Sequence, residues 1–95
     1  MQTAGNIMLD LRYTNQIKRD LRLVKNRGKD LNKLKAIIDL LQEEKPLQIN
    51  HKNHKLSGSY KDHWECHIEP DWLLIYLLDS NSITLVRTGK HSDLF

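Results

Sequence analysis

His63-Trp64-Glu65-Cys66-His67-Ile68-Glu69-Pro70-Asp71-Trp72-Leu73-Leu74-Ile75-Tyr76-Leu77-Leu78 is the stretch whose reading decides the fold. Its first half alternates. Trp64, Cys66 and Ile68 fall on one face, and His63, Glu65, His67 and Glu69 on the other. Period two is the signature of a strand with one face on a core and one open face. Glu69-Pro70-Asp71 makes a tight connection, and Trp72 to Leu78 is then apolar throughout, as a central strand covered on both faces requires. Asp79 to Ser82 reads as a second turn and Ile83 to Thr88 as a further strand. Gly89 breaks that strand and leaves a short tail, Lys90 to Phe95.

Working back toward the N-terminus, Leu47 to Tyr60 is mostly polar, with Ser57-Gly58-Ser59 as a turn. Before it the period changes. Leu31, Leu34, Ile37, Ile38 and Leu41 recur at helical spacing, with Asp30 as the N-cap and Lys45-Pro46 as the stop, so a helix runs to about Glu44. Ile17, Leu21 and Val24 form the stripe of an earlier helix, capped by Thr14 or Asn15 and ended by Gly28. In Met8 to Tyr13 the residues Leu9, Leu11 and Tyr13 alternate with polar neighbours, which suits a short first strand with the leucine face on the core. Helices early and strands late argue an α+β fold: two helices packed on one face of a small antiparallel sheet.

With 95 residues, 39% hydrophobic and 28% charged, the chain bounds one domain, residues 8–95, and one modest core. Residues 1–7 lack the charged start and apolar middle of a signal peptide and read as a flexible leader, with Met8 as the natural start. The longest apolar run falls far short of the roughly 20 residues that cross a bilayer, so the expected location is the cytoplasm, with no membrane partner. The single cysteine, Cys66, excludes an internal disulfide and a thiolate cage, and its apolar neighbours mark it as a buried, inert thiol. No glycine-rich phosphate loop is present. Net charge is +3, but nine basic residues lie between Arg12 and Lys35 against two acidic ones, Asp20 and Asp30. Such a segment suits a polyanion such as nucleic acid, and equally a solvated helix surface.

All five histidines lie after Leu47. Histidine titrates near neutrality, so a pair of imidazoles on either side of a phosphate can take one proton and deliver another. RNA brings its own nucleophile, the 2′-hydroxyl, and asks only for its deprotonation, for stabilisation of a charged phosphorane and for protonation of the leaving oxygen. The same residue types would suit zinc at His51 and His54, or at His63 and His67 with Asp71, though no closed set of four ligands stands out. They would also suit the rim of a protein-binding surface. Arg87 is fit to clamp a phosphate or to pair with Glu65 or Glu69. Phe95, the only phenylalanine, is fit to stack on a base or to tuck into the core, and Trp72 is assigned to the core.

Three stretches carry a family likeness: His54-Lys55-Leu56-Ser57-Gly58-Ser59-Tyr60, then His67-Ile68-Glu69-Pro70-Asp71-Trp72-Leu73-Leu74-Ile75-Tyr76, then Arg87-Thr88-Gly89-Lys90-His91-Ser92-Asp93-Leu94-Phe95. Together with Lys29-Asp30-Leu31-Asn32-Lys33-Leu34 they resemble the YafQ branch of the RelE/ParE toxin superfamily from Met8 onward. The resemblance implies the small RelE-like RNase fold and the role of toxin in a type II toxin-antitoxin system. It implies ribosome-dependent endonuclease cleavage of mRNA, an mRNA interferase activity. It also implies silencing by a cognate DinJ/RelB-like antitoxin, through which the complex would bind operator DNA. The family's functional positions fall on His54, His67, Asp71, His91 and Phe95. His91 is then expected as general acid, His67 or His54 as base, Asp71 as an orienting group, Arg87 as the phosphorane clamp and Phe95 as the base-positioning ring. Lys55 stands where such sequences can carry proline and is expected to touch the substrate. Neither metal nor cofactor is called for. The rival expectations are a non-catalytic RNA- or protein-binding module on the same fold and a metal-dependent nuclease.

Overall fold

The computed structural model describes residues 8–95, so the leader expected at residues 1–7 lies outside the described residues. In chain order the elements are β1 (Asp10–Tyr13), α1 (Asn15–Asn26), α2 (Leu31–Gln42), β2 (His54–Lys55), β3 (Trp64–Glu69), β4 (Trp72–Leu78), β5 (Ser82–Gly89) and α3 (His91–Leu94). The five strands form one sheet in the order β1-β5-β4-β3-β2.

Each helix boundary has a local cause. The Thr14 hydroxyl accepts the Ile17 N–H at 3.0 Å and caps α1, and Asp30 Oδ1 accepts the Asn32 N–H at 2.9 Å at the start of α2. Gly28, at φ +83°, closes α1 with two hydrogen bonds: its N–H donates to the Lys25 carbonyl, and the Lys29 N–H to the Val24 carbonyl. At the end of α2 the same pattern falls on Glu44, at φ +57°.

Ile17 and Val24 of α1 with Leu34, Ile37 and Leu41 of α2 pack on Cys66, Ile68, Trp72, Leu74, Tyr76, Ile83 and Leu85 of the sheet. Burial pushes the Cys66 thiol up to about 12, so it is protonated and inert at neutral pH. The opposite face has a second, smaller core of Leu73, Ile75 and Leu94, roofed by Leu56, Tyr60 and Val86. β4 is therefore buried on both faces, as its unbroken apolar run requires. Among the described residues no helix is long and apolar enough to cross a membrane.

Four differences from the sequence expectation have physical reasons. The sheet is mixed, because β1 pairs parallel with β5, Asp10 opposite Ser82 and Tyr13 opposite Leu85. Alternation reports which face a residue takes and carries no information about strand direction. Tyr13, expected on the core face with Leu9, is 47% exposed at the end of that edge strand. The alternation of β3 breaks at a register shift between His67 and Glu69, so that Ile68 and Glu69 together face Trp72. Glu69 thereby meets Lys29 and Lys33, each Nζ at 2.8 Å. Finally, the C-terminal tail is not irregular but ends in α3, whose Leu94 is buried.

Candidate active site

Strand register places the chemistry. On β3, Cys66 faces the helices, so Glu65 and His67 face the opposite side. One row across the sheet runs His54, Glu65, Ile75, Arg87, and the neighbouring row runs His67, Leu73, Gly89. With about 4.8 Å between strands, His67 and Gly89 are roughly 10 Å apart, and His91 lies two residues beyond. The histidines drawn from β2, β3 and α3 thus border one face, either side of the small Leu73–Ile75 core.

Glu65 joins two of them. Its Oε1 lies 3.5 Å from His54 Nε2 and 3.6 Å from His67 Nε2, and its side chain is only 7% exposed. The other ring nitrogens face carbonyl oxygens, His54 Nδ1 the Lys52 carbonyl at 2.6 Å and His67 Nδ1 the Pro70 carbonyl at 3.3 Å. A carbonyl only accepts, so each Nδ1 carries hydrogen and each Nε2 is the nitrogen available for proton transfer.

On the far side, the Asp71 carboxylate accepts the backbone N–H of His91 at 3.1 Å, which ties the β3–β4 connection to the start of α3. The His91 ring lies against Phe95, centroids 4.9 Å apart and planes inclined at 32°. Tyr60 meets the Phe95 ring edge-on at 5.7 Å and the His63 ring at 5.5 Å. Phe95 is nonetheless 56% exposed and keeps surface for a ligand.

Arg87 pairs with neither Glu65 nor Glu69. β1 stops opposite Leu85, so the end of β5 lacks a strand on that edge, and side chains replace it. Thr14 Oγ1 donates to the Val86 carbonyl at 2.8 Å, and Asp20 accepts the Thr88 N–H at 3.1 Å. The same Asp20 carboxylate takes Arg87 Nε at 2.7 Å and Nη2 at 3.3 Å. Hydrogen bonding to Asp20, with a smaller contribution from the Tyr60 hydroxyl, raises the guanidinium pKa further. Lys55 is not brought to the site. It is paired opposite Trp64 and sends its Nζ to 5.7 Å from that ring, because adjacent strand residues point to opposite faces.

The remaining histidines have structural partners. His51 Nδ1 donates to the His67 carbonyl at 2.6 Å and fastens the preceding turn to β3, while His63 Nδ1 donates to the Lys61 carbonyl at 3.1 Å. The zinc set of His63, His67 and Asp71 is not assembled: among the described residues no group of three or more His, Cys, Asp or Glu is placed to hold a metal ion. Three residues at the site escaped sequence reasoning. Glu65 stood in the polar alternation beside His67. Asp20 fell at helical spacing between Ile17 and Val24, an acid inside an apolar stripe. Tyr60 gave no signal.

Comparison with known proteins bears on the family and the fold. A family described as the bacterial toxin YafQ of type II toxin-antitoxin systems matches residues 9–95. The mRNA interferase toxin YafQ of Escherichia coli (strain K12) is 42% identical over 90 residues, 94% of this chain and 98% of that protein. The crystal structure of YafQ from E. coli strain BL21(DE3) superposes with a TM-score of 0.87 at 40% identity, over 92% of this chain and 98% of that one. YafQ in the E. coli DinJ–YafQ toxin-antitoxin complex gives 0.86 at 42% identity, over 94% and 99%. A match over nearly the whole chain, in sequence and in fold, shows that this protein belongs to the YafQ family of toxins of type II toxin-antitoxin systems.

Proposed function

We propose that this chain is an mRNA interferase that cuts messenger RNA on the ribosome by histidine acid–base chemistry. The observation that carries the proposal is the His54–Glu65–His67 cluster, on a sheet whose strand register brings His67 into one row with Gly89, two residues before the His91 ring that lies against Phe95. In this mechanism Nε2 of His54 or His67 takes the proton of the 2′-hydroxyl, and the freed oxygen attacks phosphorus. Glu65 stabilises the imidazolium that results. The bond from phosphorus to the 5′-oxygen breaks, and that oxygen takes a proton from the His91 imidazolium. The products are a 2′,3′-cyclic phosphate and a 5′-hydroxyl. Asp71 acts on the backbone of His91 and so orients its helix. Arg87, held by Asp20, presents a fixed positive charge to the phosphorane. Phe95 offers its exposed face to a base.

The same proposal includes a cytoplasmic site of action, where ribosomes are, and a DinJ/RelB-like antitoxin that covers the toxin and carries the complex to operator DNA. The basic helices are complementary to an acidic or amphipathic partner segment. Induced expression in growing bacteria, with mRNA 5′ ends mapped, tests the central claim. Wild-type protein should produce new 5′-hydroxyl ends inside coding regions. His91→Ala, with its thermal melt unchanged, should lose about 10²–10⁴-fold of that cleavage. Equal cleavage by both proteins would overturn the assignment.

A further inference from the structure

We propose that Arg27, at the end of α1, is a positioning residue for the site: by gripping Asp93 it sets α3, and with it the His91 ring and the Phe95 ring, against the sheet. This rests on the reading of His91 as proton donor given above.

A helix of four residues does not hold itself in water. Its placement comes from its link to β5, from the edge contact of Phe95 with Tyr60 and from three further ties to the rest of the molecule. Leu94 is buried in the small core with Leu73 and Ile75, which fixes the depth of the helix. The His91 N–H on Asp71 fixes its start. Asp93, on a different side of the turn, meets Arg27 with two bonds, Nη1 to Oδ2 at 2.6 Å and Nη2 to Oδ1 at 3.3 Å. Three ties that do not share a line leave α3 no free rotation. Without Arg27 only the Tyr60–Phe95 edge contact resists a turn about the line joining the other two, and both rings would shift with it.

Two further observations separate this pair from an ordinary surface bridge. Asp93 also accepts the Lys90 N–H at 2.8 Å and lies directly on Gly89, where an added Cβ would meet its Oδ2 at 2.9 Å. Arg27 in turn stands on a rigid base, because it is the C-cap of α1, closed by the two hydrogen bonds around Gly28. The side chains are 33% and 23% exposed. Partly exposed pairs contribute only modestly to global stability, so the larger effect is expected in the rate of cleavage and a small one in the melting temperature.

The test compares Arg27→Ala, Asp93→Ala and the swap Arg27→Asp with Asp93→Arg, in single-turnover cleavage on mRNA-programmed ribosomes. Both single variants should lose about tenfold in rate at saturating toxin, with the half-saturating concentration held, because a small misplacement of reacting groups is costly. The swap should regain part of that loss. If Arg27 instead touched RNA directly, Asp93→Ala would free it and leave the rate intact or raise it, which overturns the proposal. NMR of the His91 and Phe95 ring protons gives an independent measure. Both single variants should shift these signals as the 4.9 Å stack is disturbed; unshifted signals overturn the proposal. Should the wild-type protein fail to cut at all, the nuclease reading falls, and the ring signals alone decide the positioning role.

Discussion

Asp20 on α1 and Arg87 on β5 are joined by two hydrogen bonds, Nε to Oδ2 at 2.7 Å and Nη2 to Oδ1 at 3.3 Å, across 67 residues of sequence. The Asp20 carboxylate also closes the open edge of β5 by accepting the Thr88 N–H. Asp20→Ala would strand a half-buried guanidinium and a buried amide together. The expected cost is about 3 kcal/mol, measured by urea denaturation. Asp20→Asn keeps an acceptor and should cost clearly less. A loss below about 1 kcal/mol for the alanine variant would show the pair to be an ordinary surface bridge.

Glu65 lies almost out of solvent between two imidazoles, which is a poor place for a carboxylate unless it serves them. Glu65→Ala should lower the rate of cleavage by about 10²-fold while the fold persists, since both rings lose the carboxylate beside their Nε2 atoms. Single-turnover kinetics with a circular dichroism control would measure this. A rate equal to wild type would remove Glu65 from the mechanism.

Acid should weaken the molecule through specific carboxylates. Hydrogen bonds from Lys29 and Lys33 hold Glu69 below its ordinary 4.5. A hydrogen bond from Arg27, then the Lys90 N–H, holds Asp93 below its ordinary 3.8. A carboxyl whose pKa is depressed by folding adds stability above its unfolded value, and that contribution is lost as pH falls through the folded one. The stability difference between wild type and Glu69→Gln should therefore be constant from neutral pH down to about 4.5 and shrink below it. Denaturation midpoints taken across that range would show it, and a difference that grows on acidification would contradict the sign.

How far the sequence was legible depended on what each pattern encodes. Periodicity located both long helices and the three long strands, because it records which side of an element meets the core. It was silent on the direction of β1, since parallel and antiparallel neighbours show the same alternation. It assigned Glu69 to the face of His67, because a bulge leaves no trace in a two-residue period. The short α3 was invisible for a related reason: four residues carry no stripe, and their helix is imposed by Asp71, Arg27 and the buried Leu94. Family likeness supplied His54, His67, Asp71, His91 and Phe95 as candidates but assigned no role to Asp20 or Tyr60. What those two do depends on an edge and a stack that exist only once the chain is folded.

β5 lies between β1 and β4, so the last strand must slot beside the first, Asp10 against Ser82, before the sheet is complete. Closing so long a loop delays its reward until most of the chain is in place, which slows folding relative to a chain of local contacts. Arg87, Gly89 and His91 are delivered by that final insertion. A polypeptide halted before Ser82 therefore lacks β5 and, with it, Arg87, His91 and Phe95, so the candidate site is complete only after the two ends have met.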